Sequence, residues 1–437
     1  MSTPTDASPA GVTTKMPFVV LLLALGTFLT ATTEFVIAGL LPEVSADLGV
    51  GVPEAGLLIT AFAIGMIVGA PTIALATMRV PKRSTLITAL AVFAAGHVIA
   101  AGSSSFAVVL TARVLTALST GTFVSIAAVV AVAVAGPAAS SRAVGVMMSG
   151  VALANVVGVP LGSFVGHLIG WRGLFWALGV LAATAALVIG RFIPAEERRE
   201  AQSVREQFGV LRQGRLWLVL AASALVAGGF ISAFSFVSPL LTDRTGLSAG
   251  IVPLVLAGFG VGALLGTYLA GRFGDRGPLW TFATTAVSSS VVMLLLIPLS
   301  RFAIPTVVLV LLLGGTGMAV TSVATPLAVR FGHSSPALAA ALAVSAFNVG
   351  IAAGSWLAGM ALDSTLGTTG PEVVGAVMAA LGLVPVIALA TLAGTRTESA
   401  RVPLASMDKD TFVGTSERTP ETLDAHDCVF DTGGERS

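Results

Sequence analysis

The stretch "GVMMSGVALANVVGVPLGSFVGHLIG", residues 145–170, is apolar enough to lie in lipid, yet it places glycine throughout a helical pattern and holds a proline at its middle. Gly150, Ala154, Gly158, Gly162 and Gly166 recur every four residues, so they share one face of a helix. Small residues at that spacing let two membrane helices approach to backbone distance. Pro160 removes one backbone donor and bends the helix. The stripe therefore reads as the close-packing face of a membrane span, the fifth, with span eight or ten as its partner. Either it seals one access pathway and serves as a rocking surface, or it packs with no part in a mechanism.

The rest of the chain agrees with a membrane setting. Of 437 residues, 55% are hydrophobic and 10% charged, with a mean hydropathy of +0.95, where a soluble protein carries about 25% charged residues. A net charge of +1 gives no reason to expect a nucleic-acid partner. The lone Cys428 excludes an intrachain disulfide and a multi-thiolate metal site. His97, His167, His333 and His426 are scattered without ligand spacing, and no glycine precedes a lysine as in a phosphate loop. Neither a metal nor a cofactor is expected, and no enzyme: a paired acid, or a nucleophile with its base, is missing from the spans.

A hydrocarbon core about 30 Å thick needs roughly 20 apolar residues per helix. Broken at its Pro, Gly and charge clusters, the sequence yields twelve spans: 17–41, 53–78, 84–102, 106–135, 142–169, 173–193, 215–241, 250–271, 279–299, 304–329, 336–362 and 372–394. Loop charge tests that count independently. With the N-terminus cytoplasmic, the inner loops hold Lys15, Arg79, Lys82, Arg83, Arg142, Arg198, Arg199, Arg205, Arg212, Arg272, Arg276, Arg330, Arg396 and Arg401, and the outer turns only Arg172, Arg244 and Arg301. Both termini are expected inside a bacterial plasma membrane. The organisation expected is a cytoplasmic tail over 1–16, a six-helix bundle over 17–193, a cytoplasmic linker over 194–214, a second bundle over 215–394 and a disordered cytoplasmic tail over 395–437.

The two bundles read as copies. "AFAIGMIVG" (61–69) lines up with "GFGVGALLG" (258–266), pairing Phe62 with Phe259 and Gly65 with Gly262; Arg79 and Pro81 then face Arg276 and Pro278. "GTFLTATTEF" (26–35) resembles "GGFISAFSFV" (228–237), with Glu34 opposite Phe236, and "NVVGVPLGSF" (155–164) resembles "NVGIAAGSW" (348–356). Span n thus matches span n+6 in the same orientation, the parallel repeat of a transporter.

Twelve spans, duplicated halves and a basic turn between spans two and three resemble the major facilitator superfamily, over residues 16 to about 394. "RVLTALSTGTF" (113–123) is similar to that family's fourth-span motif, and "GVALANVVGVPLG" (150–162) to the fifth-span signature of its drug/proton antiporters. "TTEFVIAGLLPEVSADLGV" (32–50) resembles the first-span signature of the twelve-span drug/proton antiporter group. With "LLITAFAIGMIVGAP" (57–71) and "GPAASSRAVGVM" (136–147), the wording is most like actinobacterial chloramphenicol resistance exporters. The resemblance implies an all-α membrane fold of two pseudo-symmetric six-helix bundles, and efflux of an antibiotic in exchange for protons. One departure stands out. In the cytoplasmic gating turn, Met78 and Pro81 replace the family's aspartate and second glycine, leaving Arg79, Lys82 and Arg83.

Among the 22 acidic residues, Glu34 alone falls well inside a span. An ionised carboxylate is costly in hydrocarbon, and a carboxyl that is protonated facing one side and deprotonated facing the other is a proton carrier. Thr27, Thr30 and Glu34, three and four residues apart, form one polar face. Arg113 is the one cation well inside a span; it stays charged and needs acceptors, from span-one backbone or Glu34 itself. Proton coupling is assigned to Glu34 and Arg113, with a structural pin as the alternative for each. Thr30, Phe35, Asn155, Phe236 and Asn348 are candidate substrate contacts; His97 is a satisfied buried histidine or a second proton carrier. Gly150, Gly158, Pro160 and Gly162 form the conformational motif. The expected partners are a small, weakly polar drug and protons, within the lipid bilayer, for a monomer. Another small neutral metabolite or drug on the same fold (a sugar, a nucleoside or a hydrophobic cation) is the alternative.

Overall fold

The computed structural model describes residues 17–76, 80–136, 139–193, 208–332 and 335–399. The tail over 1–16, most of the 194–214 linker, residues 400–437 and Arg79 lie outside them. Helices account for the described spans, in the order α1 (Phe18–Val36), α2 (Val52–Ala76), α3 (Lys82–Gly102) and α4 (Phe106–Ala135). Ser140–Leu153, a π-helical turn at Ala154–Gly158 and Val159–Phe192 then run on as one apolar stretch. From Arg142 to Phe192 that stretch has 51 residues, about 76 Å if straight, far beyond a bilayer of about 30 Å. Gly170 resolves the excess: at φ 78° and ψ 156° it leaves the helical region and reverses the chain, a conformation glycine adopts without steric penalty. The stretch is thus two spans, α5 (140–169) and α6 (171–192).

The second half follows as α7 (Gly214–Ser235), α8 (Val252–Gly274), α9 (Pro278–Leu299), α10 (Ala303–Phe331), α11 (Pro336–Leu362) and α12 (Gly370–Leu381, continued by Leu383–Ser399). Eleven described stretches are long and apolar enough to cross a membrane, and the break at Gly170 makes twelve spans, as the sequence predicts. Proline within the first turns of α8, α9, α11 and α12 supplies a preset φ where its missing N–H is not needed. Residues from Ala393 on form a separate unit.

The duplication extends to the packing. Gly65 on α2 lies against Val114 and Ala117 of α4, where a Cβ would collide; Gly262 on α8 lies likewise against Leu311 of α10. One turn on, Gly69 meets Leu118 and Gly266 meets Gly315 at the same offset. Gly150 on α5 lies on Ala24 of α1, and Gly350 on α11 lies on Ala224 of α7. Lipid provides no hydrophobic drive between helices, so close backbone contact at these glycines is what binds each pair.

These contacts correct the expected partner of the α5 stripe. Gly150, Gly158, Gly162 and Gly166 face Ala24, Thr32, Val36 and Leu40, on α1 and its continuation, and not α8 or α10. A four-residue spacing drifts about 40° per step in an α-helix. The π-turn inserts an extra residue into one step and sets the stripe back, which keeps four glycines on one neighbour. Approach to the other half is made from α8, by Gly260 against the Asn155 carbonyl and Val156. The pseudo-equivalent contact joins α2 and α11, where Ser355 Oγ donates to the Gly56 carbonyl at 3.3 Å and Ser345 Oγ to that of Ile67 at 3.4 Å.

Candidate functional site

Four helices of the first half converge on a buried polar group. Arg113 of α4 is 1% exposed. Its Nη1 donates to Thr33 Oγ1 of α1 at 3.0 Å, its Nε to the Leu58 carbonyl of α2 at 3.4 Å, and its guanidinium lies 4.4 Å from the centre of the Phe62 ring. Nη2 has no partner. His97 of α3 is fully buried, and its Nδ1 is 2.9 Å from the Phe93 carbonyl, which can only accept. Nδ1 therefore carries the hydrogen of the neutral ring, and Nε2 accepts from the Thr33 hydroxyl at 2.8 Å. Donation runs from Arg113 to Thr33, from Thr33 to His97 and from His97 to the Phe93 carbonyl. His97 is thus the satisfied buried histidine of the sequence reading.

Glu34 stands next to Thr33 on α1 and is half-buried, while Thr33 and Phe35 beside it are buried. It is within electrostatic reach of Arg113. The arginine instead bonds the Thr33 side chain and a carbonyl of α2, so it uses neither of the two acceptors expected for it, span-one backbone or Glu34. Inserting a charged residue at the centre of a membrane helix costs about 3 kcal/mol, and here an arginine and a carboxyl group share one bundle without a hydrogen bond between them.

The other expected contacts are spread out. The Thr27 and Thr30 hydroxyls both turn back on α1 carbonyls, of Leu23 at 2.9 Å and of Gly26 at 3.1 Å, instead of lining an open polar face. The Phe35 ring meets Phe234 of α7 edge-on at 5.9 Å, and the Phe236 ring fills the space left by Gly56 and Gly359. Asn155 sits in the π-turn, one turn ahead of Pro160, whose absent N–H frees a carbonyl there. Asn348 on α11 is 2% exposed; its Nδ2 donates to the Val344 carbonyl at 3.0 Å and its Oδ1 has no partner. In the basic turn, Arg83 Nη2 donates to the Gly190 carbonyl and ties α3 to α6, with Lys82 opening α3.

Sequence reasoning missed two members. Thr33 was legible only as the neighbour of Glu34. Glu372, at the edge of span twelve, is as buried as Arg113 at 1% exposure. Replacing Thr33 by Val is expected to strand a donor on Arg113 and an acceptor on His97, at about 1–3 kcal/mol each. Thermal unfolding of the purified variant should register that loss, and Ser at the same position should restore most of it.

Comparison with known proteins gives a consistent picture. The family model described as Major Facilitator Superfamily matches residues 23–330. A chloramphenicol resistance protein of Streptomyces lividans is 35% identical over 372 residues, covering 84% of this chain and 95% of its own. The inner membrane transport protein YdhP of Escherichia coli (strain K12) is 31% identical over 369 residues, with 84% and 95% covered. Among solved structures, a bacterial homologue of the human lysosomal transporter Spinster, inward-facing and unoccupied, superposes with a TM-score of 0.64 at 17% identity, covering 86% of this chain and 95% of its own.

Proposed function

The chain belongs to the major facilitator superfamily, and we propose that within it this protein exports a small, weakly polar drug, chloramphenicol first, in exchange for protons. Membership of that family supports a membrane transporter rather than an enzyme. The drug assignment is supported by the 35% identity to a chloramphenicol resistance protein. In this reading it is a monomer in the bacterial plasma membrane, both termini are cytoplasmic, and bundles over 17–193 and 215–394 rock about a central site.

Proton coupling is carried by one observation. Arg113 leaves Nη2 without a hydrogen-bond partner while Glu34 lies within its electrostatic reach. A carboxylate would take that nitrogen in a charge-assisted bond; a protonated carboxyl has no need of it. With the cavity open outward, Glu34 takes a proton from the more acidic exterior. Inward opening releases it, Arg113 Nη2 then receives the carboxylate, and drug binds. Drug and proton must exclude one another, since otherwise nothing couples the two fluxes. For an uncharged drug the cycle moves net charge, so a membrane potential contributes about 2.3 kcal/mol per charge per 100 mV.

The substrate side offers Asn348 Oδ1 as a buried acceptor awaiting a hydroxyl or amide N–H, with Asn155, Thr30 and the Phe35 and Phe236 rings around the interface of the halves. The deciding experiment is susceptibility of a pump-deficient bacterium expressing the chain. Chloramphenicol and florfenicol tolerance should rise several-fold, with little change for a cationic dye or a tetracycline. A rise for the dye alone would transfer the assignment to hydrophobic cations.

A further inference from the structure

At the end of the bundle where α1 and α3 finish and α6 begins, the first half carries an ionic clasp. The short helix Leu41–Leu48, which follows α1, presents Asp47. Asp47 Oδ2 accepts from Arg172 Nη2 and from Trp171 Nε1, each at 2.9 Å, at the start of α6. Arg172 Nη1 also donates to the Ser103 carbonyl at the end of α3, at 2.9 Å.

The second half has the same parts with the charges exchanged between their carriers. The cation now follows the first helix of the half: Arg244, after α7. It reaches the end of α9 as Arg172 reaches the end of α3. Nη2 donates to the Ile297 carbonyl at 3.0 Å and Nε to Ser300 Oγ at 2.5 Å. Ser300 stands to Ser103 at the offset that pairs Phe259 with Phe62. The acid now opens the last helix: Glu372, in the first turn of α12. This clasp is open. Arg244 is within electrostatic reach of Glu372, but its third nitrogen, Nη1, lies on Thr368 Oγ1 at 3.4 Å. Glu372 bonds its own backbone N–H, and Oε2 has no partner.

At this end of the bundle the other charged groups on the elements around Glu372 are Asp243 after α7, Arg301 after α9 and Asp363 after α11, and their side chains are exposed. Arg215 of α7 lies at the far end, on the Leu392 carbonyl. Arg244 is therefore the one nearby charge among the described residues that shares its interior. A carboxylate 1% exposed, with one oxygen bare, is not sustained beside a cation that bonds elsewhere. A carboxyl is.

We propose that Glu372 is a second proton-binding site, in the half opposite Glu34, whose proton holds the Arg244 clasp open. Loss of that proton draws Arg244 off the end of α9 and onto Glu372, closing the clasp as Asp47 and Arg172 close it in the first half. The protein then carries two titrating carboxyls, one in each half, whatever it transports.

Acid-minus-alkaline infrared difference spectra of the full chain in lipid vesicles test this directly. The wild type should show a protonated-carboxyl carbonyl band that disappears in E372Q, persists in E34Q and moves without disappearing in E372D. An unchanged carbonyl region in E372Q overturns the proposal; should E372Q not fold, an unmoved band in E372D does so. A band lost only in E34Q also overturns it while supporting the carrier role of Glu34, so the two readings fail separately.

Discussion

Glu34→Gln is expected to abolish proton-driven efflux while the protein still folds and still binds drug. Glutamine keeps the shape and hydrogen-bonding reach of a protonated glutamate, so the bundle is not asked to bury anything new. What it cannot do is release a proton and present a charge to Arg113 Nη2, which has no other partner. The sign of the pH effect follows from mutual exclusion. In the wild type, drug binding strengthens as pH rises, because fewer molecules carry the competing proton. In the variant, binding should become independent of pH and settle at the weaker, acid-side level of the wild type. Coupling energies between two ligands of one protein run about 1–3 kcal/mol, or about 5–150-fold in affinity, which a radiolabelled-drug titration at several pH values resolves. In sealed vesicles with an imposed pH gradient, uptake by the variant should match empty vesicles. Full-rate energised transport by Glu34→Gln would move the carrier role to another group.

The sequence exposed the outline of this site better than its interior, for physical reasons. Hydropathy and loop charge locate spans because crossing a bilayer is a demand on length and composition alone. They do not measure depth, so Glu372, at the head of a span, read as a boundary residue although it is as buried as Arg113. Spacing of three and four selected Thr27 and Thr30 as companions of Glu34, yet a threonine hydroxyl in a helix readily returns to its own backbone, as both do. Thr33, one residue from Glu34, points to a different face and reaches His97 and Arg113 on two other helices. Adjacency in sequence hides such a partner from any periodicity. The α5 stripe makes the same point: glycines every four residues announce a close neighbour without naming it. The neighbour is α1, and the repeat-equivalent Gly350 on α11 meets α7 in the same way.

Between the halves, the close glycine contact is Gly260 of α8 on the π-turn of α5. Gly260→Ala is expected to eliminate export while leaving the amount of folded protein in the membrane near the wild-type level. A Cβ there would meet the carbonyl of Asn155 and the Cα of Val156, which are backbone atoms of the π-turn and have no rotamer to yield. The clash lies between α8 of one half and α5 of the other, so each half can assemble as before and only their approach along this seam is held off. Gly158→Leu should behave differently. Its side chain would enter Thr32 and Phe28 of α1 within the same half, and overpacking a close contact typically costs about 1–3 kcal/mol. Export and folded yield should then fall together. Monodispersity after extraction reads the yield, and drug efflux from energised cells reads the transport. Equal loss of both quantities in Gly260→Ala would mean that the α5–α8 seam is static packing. Transport lost from well-folded Gly260→Ala protein would make the Asn155 carbonyl and the π-turn around it a working surface of the cycle.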